Sequence, residues 1–233
     1  MPEGPEVETI VRGLQSIVGS SIWSVNGGDA KGLLKNADEA TFVRNLTMMD
    51  IERVERVGKW ILFTLKSPNP AEPRYALLSH LGMFGHWQIW WGKVAPSVEH
   101  PRLTIAVGTQ QGPAFLTYSD MRSWGRLYTF TLQDARLFLR GRVGVDATTV
   151  TPNQLAYFLR EDVRAIVEIL LDQSKVAGIG NIYRSEILHC AGVAPDRPGT
   201  DITEEEIPVL WKAIRSTIAE SIQLRGSSIR DYR

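Results

Sequence analysis

Met49-Asp50-Ile51-Glu52-Arg53-Val54-Glu55-Arg56-Val57-Gly58-Lys59-Trp60-Ile61-Leu62-Phe63-Thr64-Leu65 decides how the chain is read. Two runs rich in β-forming residues, Met49 to Val57 and Trp60 to Leu65, are separated only by Gly58-Lys59, so a tight turn joins two strands. Further short runs of the same kind follow at Tyr75–Ser79, His86–Trp91, Leu103–Val107, Phe115–Tyr118 and Leu127–Phe130. Turn formers punctuate them, among them Ser67-Pro68-Asn69-Pro70, Gly108 and Gly112-Pro113. Many short strands at fairly even spacing predict an antiparallel sandwich or barrel.

On either side of this block the pattern is helical. Upstream, Val7, Ile10, Val11, Leu14, Ile17 and Val18 recur at helical spacing and predict an amphipathic helix from about Pro5 to Val18. A short helix is expected after Asp38, through Phe42 to Leu46. Downstream, Leu132 to Val150 reads as a connection with some helix. Thr151-Pro152 then supplies an N-cap and a first-turn proline for a helix through Leu159. Helical patterns continue at Val163–Leu171, Ile182–Ala191 and Glu204–Leu224, the last with a capping box from Thr203 and Glu206 and a stop at Gly226. The expectation is an α+β chain of two domains: an N-terminal antiparallel β-sandwich with a terminal helix (1–131), a linker (132–150) and an all-helical domain (151–233).

Composition limits the function classes. Of 233 residues, 43% are hydrophobic and 22% charged, which excludes wholesale disorder. The single cysteine, Cys190, excludes an internal disulfide and any cysteine-rich metal site. No basic region followed by an apolar core opens the chain, and the longest apolar runs are too short to span a bilayer, so a cytoplasmic protein without membrane contact is expected. Net charge is zero, so a nucleic-acid partner must rest on local charge. From Asp120 to Arg142 five arginines (122, 126, 136, 140, 142) face two aspartates, Asp120 and Asp134.

The chemistry concentrates in Met1-Pro2-Glu3-Gly4-Pro5-Glu6. Removal of Met1 would leave Pro2 a secondary amine beside the Glu3 carboxyl: a nucleophile with a proton-transfer partner. With a reference α-amino pKa of about 7.7–8.0, such an amine is less basic than lysine. The alternative is a plain helix start, since proline and acids suit the first turn. Lys59 reads as an exposed turn lysine or as a proton donor and phosphate partner. In Ser79-His80-Leu81-Gly82-Met83-Phe84-Gly85, two glycines bracket Met83 and Phe84, which read as core or as an apolar wedge between bases. In Asp120-Met121-Arg122-Ser123-Trp124-Gly125, Arg122 pairs with Asp120 or reads a base edge, and Trp124 is buried or stacks. Gly178-Ile179-Gly180-Asn181 reads as a plain interhelical turn or as a phosphate cradle at a helix N-terminus.

Taken together these segments resemble the formamidopyrimidine-DNA glycosylase and endonuclease VIII family. The matching pieces run in family order: Pro2 to Thr9, Gly58-Lys59, His80 to Met83, Asp120 with Arg122 and Gly125, Leu171-Asp172-Gln173, Val176 to Tyr183 with Ser185-Glu186, and Gly226 to Tyr232. The Arg122 and Trp124 pair and the ending are closer to the formamidopyrimidine branch. The resemblance implies a base-excision-repair glycosylase with AP lyase activity. Its substrates would be oxidised purines such as 8-oxoguanine and formamidopyrimidines in double-stranded DNA, and a monomer is expected. Pro2 would attack C1′, Glu3 would serve as general acid/base, and Lys59 would donate a proton. His80, His100 and Asn181 would contact phosphates, and Glu6 would approach the extruded base. Met83, Arg122 and Trp124 would fill the vacated space, with Arg122 facing the orphaned base. The resemblance leaves two alternatives, oxidised-pyrimidine excision and damage binding without cleavage. The family's zinc sits in a C-terminal four-cysteine finger that this sequence does not contain, so no metal cofactor is expected. Phe84 stands where the family carries a small hydroxyl residue, and Ser123 where an arginine is usual.

Overall fold

A computed structural model describes residues 1–28 and 30–226. The expected motif from Gly226 to Tyr232 lies, beyond its glycine, outside them. The chain divides into two compact units: residues 1–2, 10–56 and 60–138, and residues 3–9, 57–59 and 139–233. Glu3 to Thr9 and Val57 to Lys59 thus belong with the helical unit, whereas the expected division assigned both segments to the β domain. The stretch expected as linker contains helix α3 (Leu132–Leu139) and strand β9 (Val145–Asp146).

In the first unit, β1 (Ser21–Asn26), β2 (Asp50–Val57), β3 (Trp60–Lys66), β4 (Tyr75–His80), β5 (His86–Trp91), β6 (Pro101–Thr109), β7 (Gly112–Ser119) and β8 (Arg126–Thr131) form one antiparallel sheet. Its order is β5-β7-β6-β1-β2-β3-β4-β8. The sheet doubles back on itself. Trp87 on β5 packs against Phe63 on β3 with ring centroids 5.3 Å apart. The Trp87 indole N–H donates to Ser79 Oγ on β4 at 2.9 Å. Strands from the two ends of the order therefore share one core, the sandwich that the spacing predicts, and it contains Phe42, Ile51, Ile61, Phe63, Leu65 and Tyr118.

Strand β1 is not among the runs that the sequence pattern marks as strands. Its pairing with β6 skips from Ile22↔Val107 to Ser24↔Ala106, so Trp23 is a bulge residue. A bulge breaks the alternation by which a strand is read. Trp23 lies flat over Gly108, where a Cβ would fall 2.1 Å from its ring. Helix α2 (Glu39–Leu46) starts where expected, with the Asp38 side chain accepting from the Thr41 N–H.

In the second unit, α4 (Pro152–Leu159), α5 (Ile166–Ile169), α6 (Asn181–Ala191) and α7 (Glu206–Gln223) enclose a core with Leu155, Ile166, Tyr183, Ile187, Leu210 and Ile214. Strand β9 pairs in parallel with β10 (Val176–Ala177). Thr151 and Gln154 form the full capping box of α4. The helix expected over Val163–Leu171 shrinks to the four residues of α5. The amides of Ile166 and Val167 instead donate to Arg197 O and Pro195 O, so the would-be first turn is spent on pairing with that segment.

The expected box at α7 is half formed. Glu206 accepts from the Thr203 N–H at 2.9 Å, while the Glu206 N–H donates to the Thr203 carbonyl, not its hydroxyl. Glu206 also pairs with Arg197 at 2.6 Å. Arg197, and then the Thr203 amide, hold its carboxyl down to about 2 from 4.5. A carboxyl lowered on folding stabilises the fold above its unfolded pKa and ceases to do so as pH falls through the folded one. Glu206→Gln is therefore expected to destabilise the protein at neutral pH, with the gap to the parent closing between pH 4.5 and about 2. Urea unfolding at stepped pH measures this, and a gap that stayed constant would remove the charge from the explanation.

Candidate active site

In the helical unit the site is built on the start of α1 (Gly4–Leu14). Glu3 precedes that helix, and Glu6, three residues on, returns its Oε2 to the Glu3 N–H at 2.9 Å. This is half of the capping geometry that acids near a helix start favour. The other oxygen, Oε1, accepts from the Tyr183 hydroxyl at 2.7 Å. Both carboxylate oxygens of Glu6 thus have partners within the unit, and the side chain is 4% exposed.

The Glu3 carboxylate takes the N-terminus of α6. Its Oε2 accepts from the Gly180 N–H at 2.7 Å and the Tyr183 N–H at 3.4 Å, and its Oε1 from the Ile182 N–H at 2.9 Å. Hydrogen bonds to a charged group contribute about 1.5–3 kcal/mol, and the helix dipole adds to them. Within Gly178 to Asn181, the Gly180 amide holds the chain's own carboxylate, and the Gly178 amide donates to Gln173 Oε1 at 3.0 Å. Gly180 is required, because a Cβ there would lie 2.2 Å from Glu3 Cδ. The segment is pinned once more where the Gly4 N–H donates to Gly178 O at 2.8 Å. Asn181 stands exposed as the first residue of α6.

Lys59 is 7% exposed, not the surface lysine of the plain turn reading. Burial pushes its pKa down, and the negative charges of Glu3 and Glu6 oppose the shift. Gly58, at φ +62°, turns the chain there, and a side chain would press on Ala177 and Val143 at 3.1 Å. Pro2, in the other unit, is buried, and in the full sequence its nitrogen is acylated by Met1. Met1 lines a cleft of about 450 Å³ with Lys35, His80, Met83, Trp124 and Arg126.

The first unit carries the wedge candidates on two locked turns. Asp120, fully buried, accepts from the amides of Arg122 at 3.1 Å and Gly125 at 2.8 Å. It therefore shapes its turn and makes no ion pair with Arg122. The guanidinium lies instead 4.8 Å from the Phe84 ring centroid and 5.1 Å from that of Trp124. Such cation–π contacts at exposed sites are worth about 0.5–1 kcal/mol each. Met83, Phe84 and Trp124 are 45%, 37% and 50% exposed, so the core readings of Met83 and Trp124 fall away. His80 closes its turn by accepting the Gly82 N–H on Nδ1 at 3.2 Å. His100, exposed and at φ +49°, has its carbonyl on the Asp120 N–H at 3.2 Å. Sequence reasoning singled out neither Tyr183 nor Asp120 as a positioning residue. The Glu3–Glu6 spacing was the available signal for the first half of this arrangement; nothing local pointed to Tyr183.

The family model of the Formamidopyrimidine-DNA glycosylase N-terminal domain matches residues 1–127, and that of the Formamidopyrimidine-DNA glycosylase H2TH domain matches residues 144–233. The chain belongs to the formamidopyrimidine-DNA glycosylase family. Proteins named formamidopyrimidine-DNA glycosylase from Shouchella clausii and Bacillus subtilis are 34% and 33% identical to it, each match covering all of this chain and 82% of the relative. Among solved structures, a complex of Lactococcus lactis Fpg with abasic-site DNA is 30% identical, with a TM-score of 0.85 over 98% of this chain and 81% of that one. The G226P mutant of the same enzyme with DNA containing Fapy-dG gives 0.86, at 30% identity, over 99% and 82%.

Cys190 is the sole cysteine, and it is exposed on α6. Among the described residues no group of three or more His, Cys, Asp or Glu is arranged to hold a metal. Nor is any described helix long and apolar enough to cross a membrane.

The Glu3 arrangement has a direct test. Gly180→Ala is expected to push the carboxylate off α6 and speed amide exchange at Ile182 and Tyr183 by about tenfold or more, the loss of one charged hydrogen bond. Gly13→Ala, where an added Cβ meets nothing within 4 Å, is the control and leaves those amides unchanged. Equal protection in both variants would contradict the account of the site.

Proposed function

We propose that the protein is a bifunctional DNA glycosylase and AP lyase that excises oxidised purines, 8-oxoguanine and formamidopyrimidines, from duplex DNA through an iminium on Pro2. The observation that carries this reading is the Glu3 carboxylate. It is immobilised on three amides and covalently adjacent to the residue that becomes the N-terminal amine. After Met1 is removed, the Pro2 nitrogen attacks C1′; the N–C1′ bond forms as the glycosidic bond breaks and the base leaves with a proton. Loss of the amine proton and opening of the sugar ring, in which the C1′–O4′ bond breaks and O4′ takes a proton, give the iminium, which acidifies C2′. Removal of a C2′ proton then expels the 3′ phosphate, and water releases the sugar remnant.

Glu3 moves protons at the sugar. Lys59 suits the proton-donor role because a lysine with a lowered pKa is a stronger acid, while Glu3 and Glu6 favour its charged form. A base stacked in a duplex is out of reach and must be flipped out, and filling its space offsets part of the unstacking cost of a few kcal/mol. Met83, Arg122 and Trp124 are exposed side chains of the right kind for that filling. His80, His100 and Asn181 serve as phosphate partners, and the protein acts as a monomer. A second reading, oxidised-pyrimidine excision, is favoured by one observation. Another Lactococcus lactis Fpg structure, 29% identical with a TM-score of 0.85 over 97% of this chain and 82% of that one, contains an oxidised-pyrimidine DNA.

Borohydride trapping on abasic DNA tests the proposal. Protein with Met1 removed is expected to form a covalent adduct, and protein that retains Met1 to form none. Pro2→Gly keeps part of the trapping, through its primary amine. Glu3→Gln lowers base excision by about 100-fold or more, as loss of a general acid/base does, with binding little changed. Absence of any adduct from processed protein that binds the same DNA would leave a damage-binding protein in place of the enzyme. Cleavage of duplexes containing single defined lesions separates the purine and pyrimidine readings.

A further inference from the structure

The loop Leu81–Gly85 is pressed at Gly82 against the turn Asp120–Gly125 and at Gly85 against Tyr118, closely enough to exclude side chains at both glycines. A Cβ on Gly82 would meet Trp124 O at 2.6 Å, and one on Gly85 would meet the Tyr118 hydroxyl at 2.1 Å and Leu81 O at 2.4 Å. The Gly85 N–H closes the loop on Leu81 O at 2.8 Å. Met83 and Phe84 therefore have nowhere to turn but outward, beside Trp124. The rings of Phe84 and Trp124 are 6.0 Å apart and tilted by 56°, and the Arg122 guanidinium rests against both. Two rings and a cation form one exposed cluster on a rigid base.

We propose that Phe84 is a specificity-determining residue: together with Trp124 it fixes Arg122, and thereby sets how sharply the protein distinguishes the base left without a partner. The proposal rests on the DNA-repair reading above and adds to it a residue outside the roles given there. A guanidinium offers only N–H donors. The pairing edge of cytosine presents O2 and N3 as adjacent acceptors and can take two of them. The pairing edge of adenine presents one acceptor, N1, beside an amino donor that opposes a second N–H. A guanidinium free to rotate can compromise with adenine, directly or through water. One held against two rings cannot, and it loses less rotamer freedom on binding. Trp124 supplies one wall of that seat, and Phe84 supplies the other. Phe84 also adds an aromatic face on which a neighbouring base can stack.

The experiment compares Met1-processed parent, Phe84→Leu and Phe84→Ser on three duplexes. Two contain a non-cleavable tetrahydrofuran abasic analogue, opposite cytosine or opposite adenine, and the third is intact. Equilibrium binding is measured for each, and thermal unfolding without DNA checks that the variants fold like the parent. The parent is expected to prefer cytosine. Phe84→Leu keeps apolar bulk without a ring, and is expected to bind the cytosine duplex within about threefold of the parent while its cytosine-to-adenine ratio falls by about fivefold. Phe84→Ser is expected to lose the ratio equally and to bind both abasic duplexes about tenfold more weakly. Variants that keep the parental ratio would make Phe84 a bystander and overturn the proposal. So would a parent that binds abasic duplex in preference to intact DNA but ignores the opposite base. A parent that does not distinguish abasic from intact duplex at all would remove the repair reading itself, and this proposal with it.

Discussion

The bond between the Glu3 carboxylate and the start of α6 is the constraint on which the start of the chain depends for its place in the helical unit. A nearly buried carboxylate is costly unless its charge is met, and here it is met by three backbone amides, the helix dipole and a buried lysine. None of these partners is free to move independently. The amides belong to a helix whose inner face carries Tyr183, Ile187 and Leu188 in the unit's core. The lysine sits on a glycine turn that tolerates no added side chain without displacing Ala177 or Val143. The result is a carboxylate whose position follows from the packing of a helical core, although it lies at the second peptide bond from the chain's start, where disorder is ordinarily concentrated.

Glu6 and Tyr183 extend the same logic by one layer. Glu6 ties the Glu3 amide while its second oxygen is held by a hydroxyl from α6. The backbone of Glu3 and its side chain are thus fixed from the same helix by separate routes. Gly226 confines Glu6 from another side, since a Cβ there would come within 2.8 Å of Oε1. Rigidity of this kind serves catalysis by holding a group near its working geometry before substrate arrives.

Much of this was legible in the sequence, and the failures have definite causes. Strands β2 to β8 announced themselves by β-forming runs between turn residues, and α2 and α4 by Asp38 and Thr151 at their caps. β1 escaped because a bulge at Trp23 spoils alternation, and α5 was overestimated because residues 195–197 claim the amides of its first turn. Both are decided by segments distant in sequence. The site followed the same division. Pro2, Glu3 and Lys59 were visible as residue types in a suggestive order. The destination of the Glu3 carboxylate was not, because the partners are 177 to 180 residues away.

The glycines show how one residue type serves different contacts in the two units. Gly180 and its neighbours look like a phosphate cradle, and physically they are an anion site: exposed amides at a helix N-terminus with room beside the backbone. The anion, however, is internal. The amides of Gly180, Ile182 and Tyr183 are spent on it, while Asn181 stays exposed. The same residue type does different work in the β unit, where Gly82 lets one loop press on another and Gly85 lets it sit on Tyr118, with Met83 and Phe84 left exposed between them. In both places the missing Cβ creates close approach. What differs is the group that takes the space: a carboxylate in one unit, and in the other the backbone and the Tyr118 hydroxyl beneath an exposed aromatic cluster. A glycine pattern therefore locates a close contact in a sequence, and the chemistry of that contact has to come from whatever the fold brings to it.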